Sequence, residues 1–140
     1  MLNVILTESC TGKNVGISPT GGLAVGPPQS SVSFNATLAV DDTKYEIVPP
    51  KASKTFNITG IILTGNKNIS STVDATVTIY EADATDVDTS INDILVIPIG
   101  RSAQSVLTGM SLQTREAVHI MGVTTDDDVL VTILGYYVDA

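Results

Sequence analysis

One histidine, one cysteine and two groups of aspartates are the residues of this 140-residue chain whose types could support chemistry. His119 lies among Ala117, Val118, Ile120 and Met121, a run that reads as a strand. A catalytic base needs a nucleophile to serve and a group to orient it, and no sequence spacing here supplies either. Cys10 sits in a Gly-rich segment with no helix start to depress its pKa, so it reads as an inert thiol. Being alone, it forms no internal disulfide, which suits folding in a reducing cytosol. Asp83, Asp86 and Asp88, flanked by Glu81 and Asp93, are the best oxygen-rich group for calcium. They lack the mid-loop glycine and closing glutamate of an EF-hand frame of about twelve residues. Asp126, Asp127 and Asp128 are adjacent and point to alternate sides, so they read as a charged guard against mispairing of the apolar strand that follows. The expectation is an absence of catalytic residues, metal ligands and cofactor.

The elements around these residues are short strands. Val32, Phe34, Ala36, Leu38 and Val40 alternate with mostly polar neighbours, the period of a half-buried strand. Further strands are expected over residues 45–48, 55–63, 72–81, 94–99, 105–112, 117–123 and 129–138. Phe56, Ile58 and Ile62 are expected on one face of their strand, with Ile61 and Leu63 on the other. Val73, Ala75, Val77 and Ile79 are expected inward, with Tyr80 outward. Gly109 weakens its strand, and Pro49, Pro50 and Pro98 mark strand ends. Eight or nine strands at this spacing, with no helical period and no internal repeat, point to an antiparallel β-sandwich or a barrel.

Residues 1–30 differ. Gly12, Gly16, Pro19, Gly21, Gly22, Gly26, Pro27 and Pro28 break regular structure beyond a short strand over residues 2–6. Leu2, Val4, Leu6, Ile17, Leu23 and Val25 are too apolar for a solvated linker. The segment therefore reads as an extended arm whose apolar side chains contact a partner, ahead of a sandwich domain over residues 31–140.

Bulk composition excludes some functions. Hydrophobic residues make up 43% of the chain, too many for a disordered one, and charged residues only 16%, against the usual quarter or so. The net charge of −8 is confined to the second half: five lysines balance five acids through Tyr80, while two arginines face ten acids beyond it. Such a chain lacks the basic face that phosphate binding requires, so no nucleic-acid partner is expected. No apolar run approaches the roughly 18 residues of a membrane span, and no signal peptide is expected. The three Asn-x-Ser/Thr triplets at Asn35, Asn57 and Asn68 fall largely within strands and read as chance matches. The absence of tryptophan counts against a sugar-binding platform.

Two stretches carry a resemblance. One runs over residues 45–63, Tyr-Glu-Ile-Val-Pro-Pro-Lys-Ala-Ser-Lys-Thr-Phe-Asn-Ile-Thr-Gly-Ile-Ile-Leu; the other leads from Gly109-Met110-Ser111-Leu112 to the last strand with its Gly135-Tyr136 pair. Both resemble the jelly-roll capsid decoration (cement) proteins of tailed bacteriophages, over about residues 31–140. A departure is the loop Lys51-Ala52-Ser53-Lys54, where such proteins often carry a glycine. The resemblance implies an all-β, jelly-roll-like antiparallel sandwich with an extended N-terminal arm. It implies a non-enzymatic virion protein that is made in the host cytoplasm and sits on the capsid surface as a homotrimer against the major capsid protein. A tail-fibre or receptor-binding module, acting through the acidic loops, is the alternative.

Overall fold

The computed structural model describes residues 31–39, 43–85, 92–126 and 128–140. Alternation of apolar and polar side chains produces eight strands among them: β1 (Val32–Leu38), β2 (Tyr45–Val48), β3 (Lys54–Gly65), β4 (Ala75–Ala82), β5 (Asn92–Ile99), β6 (Gln104–Gln113), β7 (His119–Thr124) and β8 (Val129–Asp139). They form two four-stranded sheets, ordered β1-β8-β3-β6 and β2-β7-β4-β5, with every paired neighbour antiparallel. Only the β4–β5 connection stays within a sheet; every other connection crosses to the facing one. That order is a jelly-roll sandwich, the expected all-β class.

The core lies between the sheets. Ile58, Ile61, Leu63, Val131 and Ile133 from the first sheet meet Val77, Ile79, Ile120 and Val48 from the second. Each fully buried aliphatic side chain contributes about 1.5–3 kcal/mol relative to exposure.

Ile61 and Leu63 share this core with Phe56 and Ile58, and Ile62 faces outward, the reverse of the facing expected within that strand. A β-bulge between Ile58 and Gly60, present against both β6 and β8, inserts one residue and flips every side chain beyond it. Val73 also departs from expectation: β4 begins at Ala75, and Val73 is exposed. Tyr80 points away from the core as expected but is nonetheless buried.

Antiparallel pairing sends the connections to two ends. At one end lie the β1–β2, β3–β4, β5–β6 and β7–β8 connections. At the other lie β2–β3, β4–β5 and β6–β7, with the start of β1 and the end of β8. The second end is closed by Phe34, Phe56 and Tyr137, whose rings pack edge-to-face at centroid separations of 5.0–6.3 Å. The Tyr137 hydroxyl donates to the Pro49 carbonyl at 2.6 Å, and Lys51 Nζ sits 5.2 Å from the ring centroid.

Gly135 makes this corner possible. A Cβ there would lie 2.2 Å from the Asn57 carbonyl oxygen and under 3 Å from the Phe56 ring. Gly135→Ala is expected to destabilise the fold by about 2–3 kcal/mol, read as a lower urea midpoint at an unchanged slope. Ser53, in the loop between β2 and β3, takes a left-handed φ of 59°. Ser53→Gly relieves that conformation but gives the unfolded chain more freedom. The net expectation is a gain of at most about 1 kcal/mol, in the same unfolding measurement.

Candidate functional site

The second end of the sandwich gathers the polar side chains most able to act. The bulged β2 edge and β7 bring Glu46 and His119 to the outer side of their sheet, where Glu46 Oε2 pairs with His119 Nδ1. No hydroxyl or thiol is hydrogen-bonded to this imidazole among the described residues. The pair fastens β2 to β7. Glu46 also acts at a distance on Tyr137: burial first, and then the Glu46 charge, push that phenol above the usual tyrosine range.

Glu81, at the end of β4, is 2% exposed. Its carboxylate accepts the Arg115 backbone N–H at 3.0 Å and the Arg115 Nε–H at 3.2 Å. The Arg115 guanidinium also reaches Asp83 at 3.7 Å. A buried carboxylate is tolerated only when it is this well bonded. Here it clamps the β6–β7 connection onto the second sheet. Thr114 ties the same connection to the first sheet: its N–H donates to the Phe56 carbonyl and its hydroxyl accepts the Phe56 N–H, both at 2.9 Å. Glu81 is thus an acceptor in a structural clamp. No group of three or more His, Cys, Asp or Glu side chains able to hold a metal occurs among the described residues. Asp86 and Asp88, the middle of the expected acidic loop, lie outside those residues.

At the opposite end Asp126 and Asp128 act as hydrogen-bond acceptors, a role beyond the charged guard read from the sequence. Asp126 Oδ2 accepts the Ser70 N–H at 3.4 Å. Asp128, at a left-handed φ of 50°, accepts from Asn66 twice: its carboxylate takes the Asn66 Nδ2–H at 3.3 Å and its carbonyl the Asn66 N–H at 3.0 Å. These bonds lock the β7–β8 turn to the β3–β4 loop. Sequence spacing offered no signal for contacts between residues about sixty positions apart.

The broadest unassigned feature is the outer face of β1-β8-β3-β6. The alternation of β8 and the paired registers place Leu130, Leu134 and Tyr136 on it, beside Ile62 of β3 and Val106 of β6. Val106 is 53% and Leu130 45% exposed. Ser33, Asn35, Thr37, Thr132, Thr64 and Gln104 fill the rest. The four strands carry only two charged residues, Lys54 and Asp139, and these pair with each other at one corner. The arm residues Leu2, Val4, Leu6, Ile17, Leu23 and Val25 lie outside the described residues, as does Cys10.

No protein-family model matches the chain, and no curated protein matches it. Solved structures do. A chain in the acidic stable capsid structure of Helicobacter pylori bacteriophage KHP30 is similar, with a TM-score of 0.57 and 11% identity over 80% of this chain and 90% of that one. A chain in the capsid asymmetric unit of cyanophage Pam1 gives a TM-score of 0.46 and 11% identity, over 85% of this chain and 96% of that one. At this identity the likeness is one of fold.

Tyr80 joins Tyr137 in having a phenol pushed up, in its case by burial alone. The folded state therefore holds both protons more tightly than the unfolded chain does. Their contribution to stability is intact below about pH 10 and is lost as pH rises through the raised native values. An ultraviolet phenolate titration is expected to show two tyrosines ionising late. Glu46→Gln should move Tyr137 back toward its ordinary value and leave Tyr80 in place; an unmoved Tyr137 would contradict the assigned coupling.

Proposed function

We propose that this chain is a non-enzymatic structural protein of a phage virion that decorates the capsid surface and stabilises the shell, as a symmetric trimer seated on the major capsid protein. The observation that carries the reading is the uncharged outer face of β1-β8-β3-β6, on a chain whose net charge is −8. A flat face of threonines, asparagines and exposed aliphatics can meet another protein without stranding an unpaired charge in the contact. Ordinary surface requirements favour dispersed charge instead. The jelly-roll likeness to a chain of the KHP30 capsid supports the same reading, as does the use of each polar cluster as a clamp.

The mechanics follow from the sandwich. Two layers clamped at both ends form a stiff block, and a stiff block spends little conformational entropy on docking. Many modest contacts repeated over a shell then add up to large resistance against outward pressure. In this reading Leu2, Val4 and Leu6 extend the contact beyond the block, and the domain boundary falls near residue 31.

The test pairs capsid co-sedimentation with light scattering. The double variant Val106→Asp, Leu130→Asp should lose capsid binding at least ~10-fold, equivalent to about 1.4 kcal/mol, with an unchanged melting temperature. Binding that survives the double variant would overturn the role of this face. Particle imaging that places the protein at the tail rather than over the shell would overturn decoration in favour of a recognition module.

A further inference from the structure

Four strands form the edges of the two sheets: β1 and β6 in the first, β2 and β5 in the second. An edge strand carries a row of backbone N–H and C=O groups with no neighbouring strand to satisfy them. Folded proteins blunt such edges with charge, proline, a bulge or a covering element. Three of the four edges here are protected in these ways. β2 is four residues long, bears Glu46, is bulged before Val48 and runs into Pro49 and Pro50. β5 bears Asp93 and lacks an N–H at Pro98. β1 is flanked by β2, which packs beside it.

β6 differs. Its ten residues include no charge and no proline. Leu112 lies opposite Ile58 and Thr108 opposite Gly60, so Gly109, Met110 and Ser111 bulge out against Thr59 alone. Gly109 supports the bulge with a left-handed φ of 71°. The bulge blunts only the second half of the strand. Residues 104–108 keep an unbroken register against residues 60–64 of β3, and Gln104, Val106 and Thr108 are exposed.

We propose that residues 104–108 pair antiparallel with the same residues of a second copy, across a two-fold axis at Val106. Three observations select a second copy. The first is exclusion: among the described strands, no other edge offers an unprotected run, so β6 can be matched within this chain's own population only by β6. The second is side-chain match. In this register Val106 meets the partner's Val106, and Gln104 meets the partner's Thr108. An apolar pair is thus flanked by two amide–hydroxyl pairs, each a favourable cross-strand combination. The third is charge. Copies that each carry −8 repel one another, and this seam lets them meet without opposing carboxylates. Two-fold pairing joins the neutral outer faces of two four-stranded sheets into one eight-stranded surface. A seam of this length belongs to the weak class of contacts, those burying under about 1,200 Å². It is separate from the trimer of the proposed function and holds whether or not that reading stands.

The test uses the full chain without any capsid, at high protein concentration. Val106→Cys and Val96→Cys are each prepared on a Cys10→Ser background; the two valines are 53% and 56% exposed. Under mild oxidation the Val106→Cys chain should link to itself at least ~10-fold faster, because a cross-strand pair holds its two Cβ atoms within disulfide reach. Register is read from mixtures of Val106→Cys chains that carry a second change. Gln104→Lys mixed with Thr108→Glu should link faster than Gln104→Lys mixed with Gln104→Glu, since only the first mixture sets lysine opposite glutamate while the net charges are the same. Equal rates at Val106 and Val96 would overturn the pairing, as would equal rates in the two mixtures.

Discussion

The ladder between β3 and β8 is the constraint on which the rest of the structure depends. It runs unbroken except for one bulge, from Lys54 opposite Asp139 to Gly65 opposite Val129. Both strands are interior to their sheet, so this ladder fixes where β1 and β6 attach at the edges. Its register decides which side chains enter the core. Shifting β8 by one residue would turn Val129, Val131 and Ile133 outward and bring Leu130, Thr132 and Leu134 in. Gly135 holds the register against such a slip, because only a residue without a side chain fits between the Asn57 carbonyl and the Phe56 ring. The bulge does the complementary work in β3. It keeps Phe56 and Ile58 in phase with Ile61 and Leu63 despite an odd spacing between the two pairs.

Once that ladder is set, two polar clamps hold the second sheet to the first. Asn66 with Asp128 joins the loops at one end, and Glu81 with Arg115 joins them at the other. Both clamps couple residues far apart in the chain, so each closes a long loop, whose entropy must be recovered from many contacts at once. The Arg115–Glu81 contact is strengthened by burial of the carboxylate, whereas the exposed reach of Arg115 to Asp83 adds little. No buried side-chain donor or acceptor lacks a partner among the described residues. Acidic groups are thus spent on connections at the ends, and the face of the first sheet is left free of charge.

How much of this was legible in the sequence depended on the range of the interaction. Alternation is local, and all eight strands could be read from it, with ends displaced by a few residues, as at Ala75 and His119. The inverted facing of Ile61, Ile62 and Leu63 shows where local reading stops: a bulge is a property of two paired strands, and nothing near Thr59 except Gly60 marks it. The aspartates before β8 were read as isolated charge because their partners, Asn66 and Ser70, are more than fifty residues away. Tyr80 was placed on the correct side and yet is buried, since alternation gives a direction and says nothing about what lies over the surface. Ser53, in the Lys51–Lys54 loop, takes a left-handed backbone that a serine does not announce in the sequence. The apolar residues of the arm were legible as apolar from composition alone, and they lie outside the described residues.

The two outer faces of the sandwich differ in a way that bears on what the protein does. The second sheet presents Glu46, His119 and the exposed Val96 beside a small apolar cluster that is already buried. The first sheet presents exposed aliphatics and neutral polar groups. A protein selected only to remain soluble would gain by spreading its fifteen acids and seven basic residues over both faces. Keeping one face neutral exposes Val106 and Leu130 to water, a cost in solubility with no return inside the fold, because neither side chain supports the core. Among the described residues the polar clusters converge on closing the sandwich. The asymmetry between the faces therefore lies in charge, and the neutral face is the one that β8 and β3 organise.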